Sequence, residues 1–99
     1  MFDKMKQLQQ MKKQMDLAKE RLNNISVKGE CQGVTVISNG NRKITEVIIP
    51  NSLFSESSAE EVAELVLTAT NRALENAESV FESEMRGMAG GLMGGLGLF

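Results

Sequence analysis

Apolar residues recur every three or four positions through the first 25 residues of the chain. The series comprises Met1, Met5, Leu8, Met11, Met15, Ala18, Leu22 and Ile25. This spacing is typical of an amphipathic helix and is close to the heptad repeat of a coiled coil. A helix of this length would reach about 35 Å, which is more than a small domain covers. We therefore expect part of the helix to project or to pair with a second copy.

The pattern changes between residues 25 and 50, where β-branched residues are separated by glycines. Strands are predicted at about 25 to 31, 33 to 38 and 42 to 49, forming an antiparallel meander. Asn39-Gly40 is a strong hairpin signal between the second and third strands, and Pro50 ends the third.

The third predicted strand contains the uninterrupted apolar run Val47, Ile48 and Ile49. Such a run is typical of a strand that is covered on both faces of its sheet. One helix can supply only one cover, so the run predicts a second cover, for which another subunit is a candidate.

A second long helix is predicted over about residues 57 to 85. Ser58 and Glu61 form a capping-box pattern at its start. The apolar stripe that follows consists of Val62, Leu65, Val66, Ala69, Ala73, Ala77, Val80 and Phe81. Six glycines fall among residues 87 to 99, and each costs a helix about 1 kcal/mol relative to alanine. The sequence therefore predicts one α+β domain over residues 1–86 and a flexible tail over 87–99.

Composition argues against most catalytic chemistry. The 99 residues include no histidine and one cysteine, Cys31, so imidazole-activated nucleophiles and the usual zinc ligand sets cannot be assembled. We predict no enzymatic activity, no cofactor, no metal and no small-molecule substrate. A single cysteine and the lack of a signal-like or membrane-spanning segment predict a cytoplasmic protein without membrane association.

Charge is distributed unevenly along a chain whose net charge is −2. Residues 1 to 50 carry nine Lys and Arg against five acidic residues, whereas residues 51 to 99 carry two Arg against eight Glu. On a helical projection the lysines of the first helix flank its apolar seam on both sides, and Arg42 and Lys43 follow the Asn39-Gly40 turn. This pattern fits contact with nucleic acid phosphate, but taken alone it is more typical of a solvated helix face. It fits a coiled-coil adaptor that binds an acidic protein partner just as well.

Four segments in order resemble one known family over essentially the whole chain. They are "MKQLQQMKKQM", "GECQGVTVISNGNRKITEVIIPNSL", "VAELVLTATNRALENAESVFESEM" and the ending "GGLGLF". Together these segments resemble the YbaB/EbfC family of bacterial nucleoid-associated proteins. The strand and turn from Gly33 to Gly40 and the "LVLTATNRALENAE" helix are the most specific parts.

The resemblance implies a tweezer-like homodimer in which the sheets and second helices share a core and the N-terminal helices project. It also implies binding of double-stranded DNA in the nucleoid, nucleoid organisation and, as in some members of the family, gene regulation. Because lysine contacts phosphate without reading base edges, we expect low sequence preference. Carried onto this chain, the DNA contacts are Lys6, Lys12, Lys13, Lys19, Arg42 and Lys43. The corresponding dimer interface is Val47, Ile48, Ile49, Leu65 and Ala69.

Overall fold

The computed structural model describes the backbone of residues 2–95 and the side chains of residues 3–88. The elements follow the order α1 (Phe2–Asn23), β1 (Ser26–Cys31), β2 (Val34–Asn39), β3 (Ile44–Ile48), α2 (Asn51–Glu56) and α3 (Ala59–Gly95). The three strands form one antiparallel sheet in the order β1-β2-β3. The predicted α+β class is confirmed, with one long helix before the three-stranded meander in the chain and another after it.

Two turns of different construction join the strands. Gln32 and Gly33 connect β1 to β2 and both have positive φ, as a two-residue type I′ turn requires. The β2–β3 turn, residues 40–43, is wider than a two-residue Asn-Gly hairpin. Its residue in the left-handed conformation is Arg42, with φ 64°.

The core lies between α3 and the first two strands. Val34, Val36, Ala69 and Ala73 are fully buried there. A Cβ atom on Gly29 of β1 would overlap the backbone of Ala69 and Ala73. Glycine and small alanines therefore let α3 lie directly on β1.

The two parts of α1 have different surroundings. Ala18 and Leu22 are fully buried near the base of the helix, where α1 meets α3 and the β2–β3 turn. The earlier apolar residues are 48–65% exposed; they are Met5, Leu8, Met11 and Met15. The molecule is correspondingly elongated, with a radius of gyration of 19.2 Å, compared with about 13 Å for a compact domain of 100 residues.

The predicted end of the second long helix is wrong for residues 87 to 95, because α3 continues without interruption to Gly95. Extending an existing helix avoids the cost of nucleation, and Ala, Met and Leu between the glycines favour the helical state. The boundary proposed after residue 86 therefore marks no break in the helix. Residues 96–99 lie outside the described residues, and flexibility of the tail stays a prediction.

Two further features distinguish the second half of the chain. One half of the predicted capping box at the start of α3 is confirmed: the Glu61 amide donates to Ser58 Oγ at 3.2 Å. In place of the reciprocal bond to the Ser58 amide, the Glu61 carboxylate accepts from the Ser58 hydroxyl at 3.1 Å. The short helix α2 was not predicted. Pro50 ends the strand region as expected, but its φ of −61° also suits a helix N-terminus, and Leu53 of α2 packs on the core.

The residues predicted for the dimer interface separate into two groups. Val47 and Ile48 of the edge strand β3 are 45% and 44% exposed in one protomer, and Ile49 and Leu65 are partly buried. Ala69, by contrast, is fully buried against the sheet of its own protomer. Within one protomer the Ala69 side chain therefore packs on its own sheet, and the assignment of all five residues to a dimer interface stays a prediction.

Candidate nucleic-acid interface

The cations of α1 all lie on its solvent-exposed surface. Lys, Gln and Met are good helix formers, and Asp3 stands in the first turn, where a negative charge suits the helix dipole. Lys6, Lys12, Lys13 and Lys19 are exposed, as are Arg42 and Lys43 in the β2–β3 turn. Among residues 3–88 none of these six forms an ion pair. Their charges are therefore available to an external anion.

Arg21 behaves differently from the lysines of the same helix. Its Nε donates to Glu84 Oε1 of α3 at 2.6 Å, and its Nη2 pairs with the same carboxylate. This link ties the base of α1 to α3. The charge of Arg21 is consequently neutralised within the protomer, so we do not count Arg21 among the cations available to a partner.

A polar cleft of about 720 Å³ separates α1 from the second half of α3. Its lining residues are Gln10, Lys13, Gln14, Arg21, Ser83, Glu84, Gly87 and Met88. Lys13 thus lies on the side of α1 that faces α3. On a helical projection Lys6 lies close to Lys13, whereas Lys12 and Lys19 lie beside the exposed apolar stripe. The predicted contacts of α1 therefore occupy two sides of the helix.

The β2–β3 turn is bound to the end of α1 by a cluster of asparagines. Asn41 Nδ2 donates to the Lys19 carbonyl at 3.0 Å and to Asn23 Oδ1 at 2.6 Å. The Gly40 amide donates to the Leu22 carbonyl at 2.8 Å. A Cβ on Gly40 would lie 2.8 Å from the Leu22 side chain, so glycine permits this close approach.

These hydrogen bonds place the turn that carries Arg42 and Lys43 against the end of α1, where Lys19 lies, although the two segments are distant in sequence. Sequence reasoning treated the turn as a separate basic point and missed the role of Asn23, Asn39 and Asn41. The asparagine-rich segment "SNGN" carried the available signal, because asparagine side chains often hydrogen-bond nearby backbone in turns.

Arg42 has a second neighbour on α3. Its guanidinium carbon lies 4.5 Å from the centroid of the Phe81 ring, which is a cation–π arrangement. The pairing joins the turn to α3, and Arg42 remains exposed. Sequence analysis placed Phe81 in the core stripe and did not connect it with Arg42.

The exposed surface of α3 is acidic, in contrast to that of α1. Glu60, Glu64, Glu75, Glu78 and Glu82 are exposed on this helix. A polyanion crossing that face would meet like charge, which opposes binding. A path along α1 and the turn, which avoids this acidic face, stays a prediction.

Other kinds of site find little support in the part of the chain that is described. Residues 3–88 contain no cluster of three or more Cys, Asp or Glu side chains arranged to hold a metal ion. Cys31 is partly buried beside the core. No described helix is both long and apolar enough to cross a bilayer.

Comparison with known proteins yields consistent matches. The model of the YbaB/EbfC DNA-binding family matches residues 1–92. A nucleoid-associated protein of Ruminiclostridium cellulolyticum is 33% identical over 97 residues, covering 96% of this chain and 84% of the relative. A nucleoid-associated protein of Clostridium kluyveri is 37% identical over 90 residues, covering 89% and 79%.

A solved structure shares the fold. The crystal structure of an uncharacterized protein from Helicobacter pylori superposes with a TM-score of 0.74 at 20% identity. The match covers 83% of this chain and 88% of that one. At this identity the likeness concerns the arrangement of helices and strands.

Proposed function

Because the chain belongs to the YbaB/EbfC DNA-binding family, we propose that it is a nucleoid-associated protein that binds double-stranded DNA as a homodimer. The basic residues of α1 and the β2–β3 turn make the contacts. The observation that carries this assignment is the set of six exposed cations without ion pairs among residues 3–88. Five of the six lie on α1 or the adjoining turn without a carboxylate partner in this part of the chain, and Lys13 lines the cleft between α1 and α3.

The mode of binding follows from the chemistry of lysine. Each ammonium is a compact charge on a flexible stem, so it neutralises a phosphate without reading a base edge. Binding with little sequence preference is therefore expected. If about four to six phosphates are neutralised, the logarithm of the binding constant should fall against that of salt concentration with a slope of about −4 to −5.

Dimerisation is supported by the apolar side chains that remain exposed in one protomer. Val47 and Ile48 are almost half exposed on an edge strand, and the apolar positions of α1 from Met5 to Met15 are exposed as well. A second copy that covers the β3 region would bury apolar surface and would set two α1 arms at a fixed separation. Two such arms could contact one duplex at the same time. Binding of the first arm would raise the effective concentration of the second and so increase the affinity for DNA.

The first test is charge reversal on α1. Lys12→Glu and Lys13→Glu, singly and together, should weaken binding to duplex DNA and reduce the steepness of the salt dependence, because fewer counterions are released. Electrophoretic mobility shift across a salt series measures both quantities, and sedimentation checks that the dimer is retained.

Lys28→Glu is the matched control, since Lys28 is an exposed lysine of β1 that already pairs with Glu30. It should leave DNA binding nearly unchanged. Equal binding by wild type and the Lys12/Lys13 double variant would remove these two residues from the interface. No binding by the wild-type protein, even at low salt, would refute the proposed function.

The exposed apolar stripe of α1 favours a second candidate, a non-enzymatic coiled-coil adaptor for an acidic protein partner. Met5, Leu8, Met11 and Met15 have the spacing of a helix-pairing seam and remain exposed. Duplex DNA binding that persists at near-physiological ionic strength favours the nucleoid protein. Binding that disappears as soon as salt is raised favours the adaptor, because weak attraction to DNA is common to basic helices.

Cellular roles form the finer part of the proposal. Binding along DNA with low sequence preference suits a contribution to nucleoid organisation and, through occupancy of promoters, to gene regulation. Fluorescent fusion protein should then coincide with the nucleoid, and the Lys12/Lys13 double variant should spread through the cell.

A further inference from the structure

We infer that Phe81 and the β2–β3 turn hold the Arg42 guanidinium in a fixed orientation as a directional contact to a DNA phosphate. This inference rests on the proposed function and assigns Phe81 as a positioning residue. Under it, Arg42 contributes geometry as well as charge, whereas the α1 lysines contribute charge alone.

The backbone of Arg42 is held by its neighbours in the turn. Its φ of 64° lies in the left-handed region, which side-chain-bearing residues seldom adopt. Asn39 maintains this conformation: its Oδ1 accepts from the amides of Asn41 at 2.9 Å and Lys43 at 3.1 Å. The Arg42 amide donates to the Asn39 carbonyl at 3.1 Å. An uncommon conformation that is stabilised from both sides is typical of functional positions.

The side chain of Arg42 is held by its position over the Phe81 ring. The guanidinium carbon lies 4.5 Å from the ring centroid, a contact with the π surface that engages none of the guanidinium N–H groups in a hydrogen bond to oxygen. Arg21 and Arg72 differ, because they already donate to Glu84 and to the Glu30 carbonyl. Within residues 3–88 Arg42 makes no side-chain hydrogen bond and no ion pair. A planar fork with free donors is suited to two parallel hydrogen bonds to phosphate oxygens.

The turn also fixes where Arg42 lies relative to α1. Asn41 joins the turn to the Lys19 carbonyl and to Asn23, so Arg42 and the last lysine of α1 keep a constant spacing. A duplex laid along α1 would meet the flexible lysines first and the oriented arginine at the base of the helix. Arg42 is therefore placed to set the register of the phosphate backbone on the protein.

The test compares variants that preserve charge with one that removes it. Arg42→Lys and Phe81→Leu each keep the number of cations, so the slope against salt should stay unchanged while affinity for duplex DNA falls about threefold to fivefold. Arg42→Ala should lower affinity further and reduce the slope by about 0.9. Arg72→Lys, at an arginine outside the proposed contact, is the matched control and should bind as wild type.

A double-variant cycle separates positioning from general damage to the fold. If Phe81 acts through Arg42, Phe81→Leu should have no further effect in the Arg42→Ala background, and Phe81→Trp should restore wild-type affinity. Thermal unfolding of each variant verifies that the protein remains folded. An effect of Phe81→Leu that persists in full in the Arg42→Ala background would overturn the inference.

Failure of this inference can be distinguished from failure of the proposed function. If wild type binds duplex DNA and Lys12→Glu weakens it, but Arg42→Lys and Phe81→Leu bind as wild type, Arg42 is only one more diffuse charge. If wild type does not bind duplex DNA at all, both the proposed function and this inference are refuted.

Discussion

The two edge strands of the sheet, β1 and β3, differ in whether side chains occupy their outward-facing backbone groups. At the β1 edge, Arg72 Nη1 of α3 donates to the Glu30 carbonyl at 2.7 Å, and Asn76 Nδ2 donates to the Lys28 carbonyl at 2.8 Å. Lys28 and Glu30 are alternate residues, so these carbonyls lie on the same side of β1. The hydrogen-bonding groups that another strand would need are thus occupied by side chains of the same protomer.

The β3 edge carries no comparable protection among residues 3–88. The one described side-chain hydrogen bond from β3 runs inward, from Thr45 Oγ1 to the Ile37 carbonyl at 3.3 Å. Pairing with β2 places Val47 on the face of Val36 and Ile48 on the face of Thr35, so exposed apolar side chains lie on both faces of the edge strand.

This difference indicates where a second subunit can attach. Proteins commonly protect exposed edges, because an open strand pairs readily with another chain. One edge is closed within the protomer, and the other combines open backbone with apolar side chains. The contrast supports a dimer that forms through the β3 region and leaves β1 as an outer edge.

The largest expected effect is at the closed edge, where α3 lies directly on Gly29. Gly29→Ala would force a methyl group into the backbone of Ala69 and Ala73. Neither helix nor strand can move without disturbing the core, so we expect destabilisation of about 3 kcal/mol or more. Urea unfolding monitored by circular dichroism measures the change.

Gly87→Ala provides the matched control for this substitution. Gly87 is a glycine of α3, and a Cβ placed there meets nothing within 4 Å. Because alanine is the better helix former, this variant should be more stable by about 0.5–1 kcal/mol. Equal stability of Gly29→Ala and wild type would show that α3 does not lie closely on β1 in solution.

The next effect concerns the open edge and the proposed dimer. Val47→Lys or Ile48→Lys would place a charge where an apolar contact is expected, and a symmetric dimer contains each substitution twice. We expect a loss of about 2 kcal/mol or more, equivalent to a roughly thirtyfold weaker dimer. Analytical ultracentrifugation over a concentration series measures the dissociation constant.

Ser26→Lys introduces the same charge at an exposed position of β1 and serves as the control for the closed edge. Its dimerisation should match that of wild type. If Ser26→Lys dissociates the dimer while Val47→Lys and Ile48→Lys leave it intact, the partner attaches at β1 and the comparison of the edges is reversed.

The elements of the fold could be predicted because their signals are local. Apolar spacing located α1, and Ser58 with Glu61 located the start of α3. The end of α3 could not be predicted from propensity, because propagation from an existing helix competes with the cost of each glycine. The small residues of α3, such as Ala69, predict close packing, but their sequence does not show whether the packing partner lies in the same chain.

The candidate site was only partly accessible to sequence reasoning. Exposed lysines follow from helical spacing, whereas the approach of the turn to α1 depends on tertiary hydrogen bonds such as Asn41 to Lys19. The pairing of Arg42 with Phe81 joins positions 39 residues apart in sequence, and periodicity carries no information on such contacts. The charge pattern of the sequence suggested α1 and the β2–β3 turn as the candidate site. Tertiary packing, which the sequence does not reveal, determines which side chains lie next to each cation.

The smallest expected effect tests how the closed edge is maintained. Arg72→Ala removes the donor to the Glu30 carbonyl, but water can reach that carbonyl because Arg72 and Glu30 are both exposed. We therefore expect a loss of only about 1 kcal/mol in the free energy of unfolding, without a change in dimer affinity. Glu30→Gln is the control: it breaks the exposed Lys28–Glu30 ion pair and should cost about 0.5 kcal/mol or less. A tendency of Arg72→Ala to form higher oligomers would show that this side chain mainly prevents a strand from adding at β1, since an uncapped edge is open to a further copy.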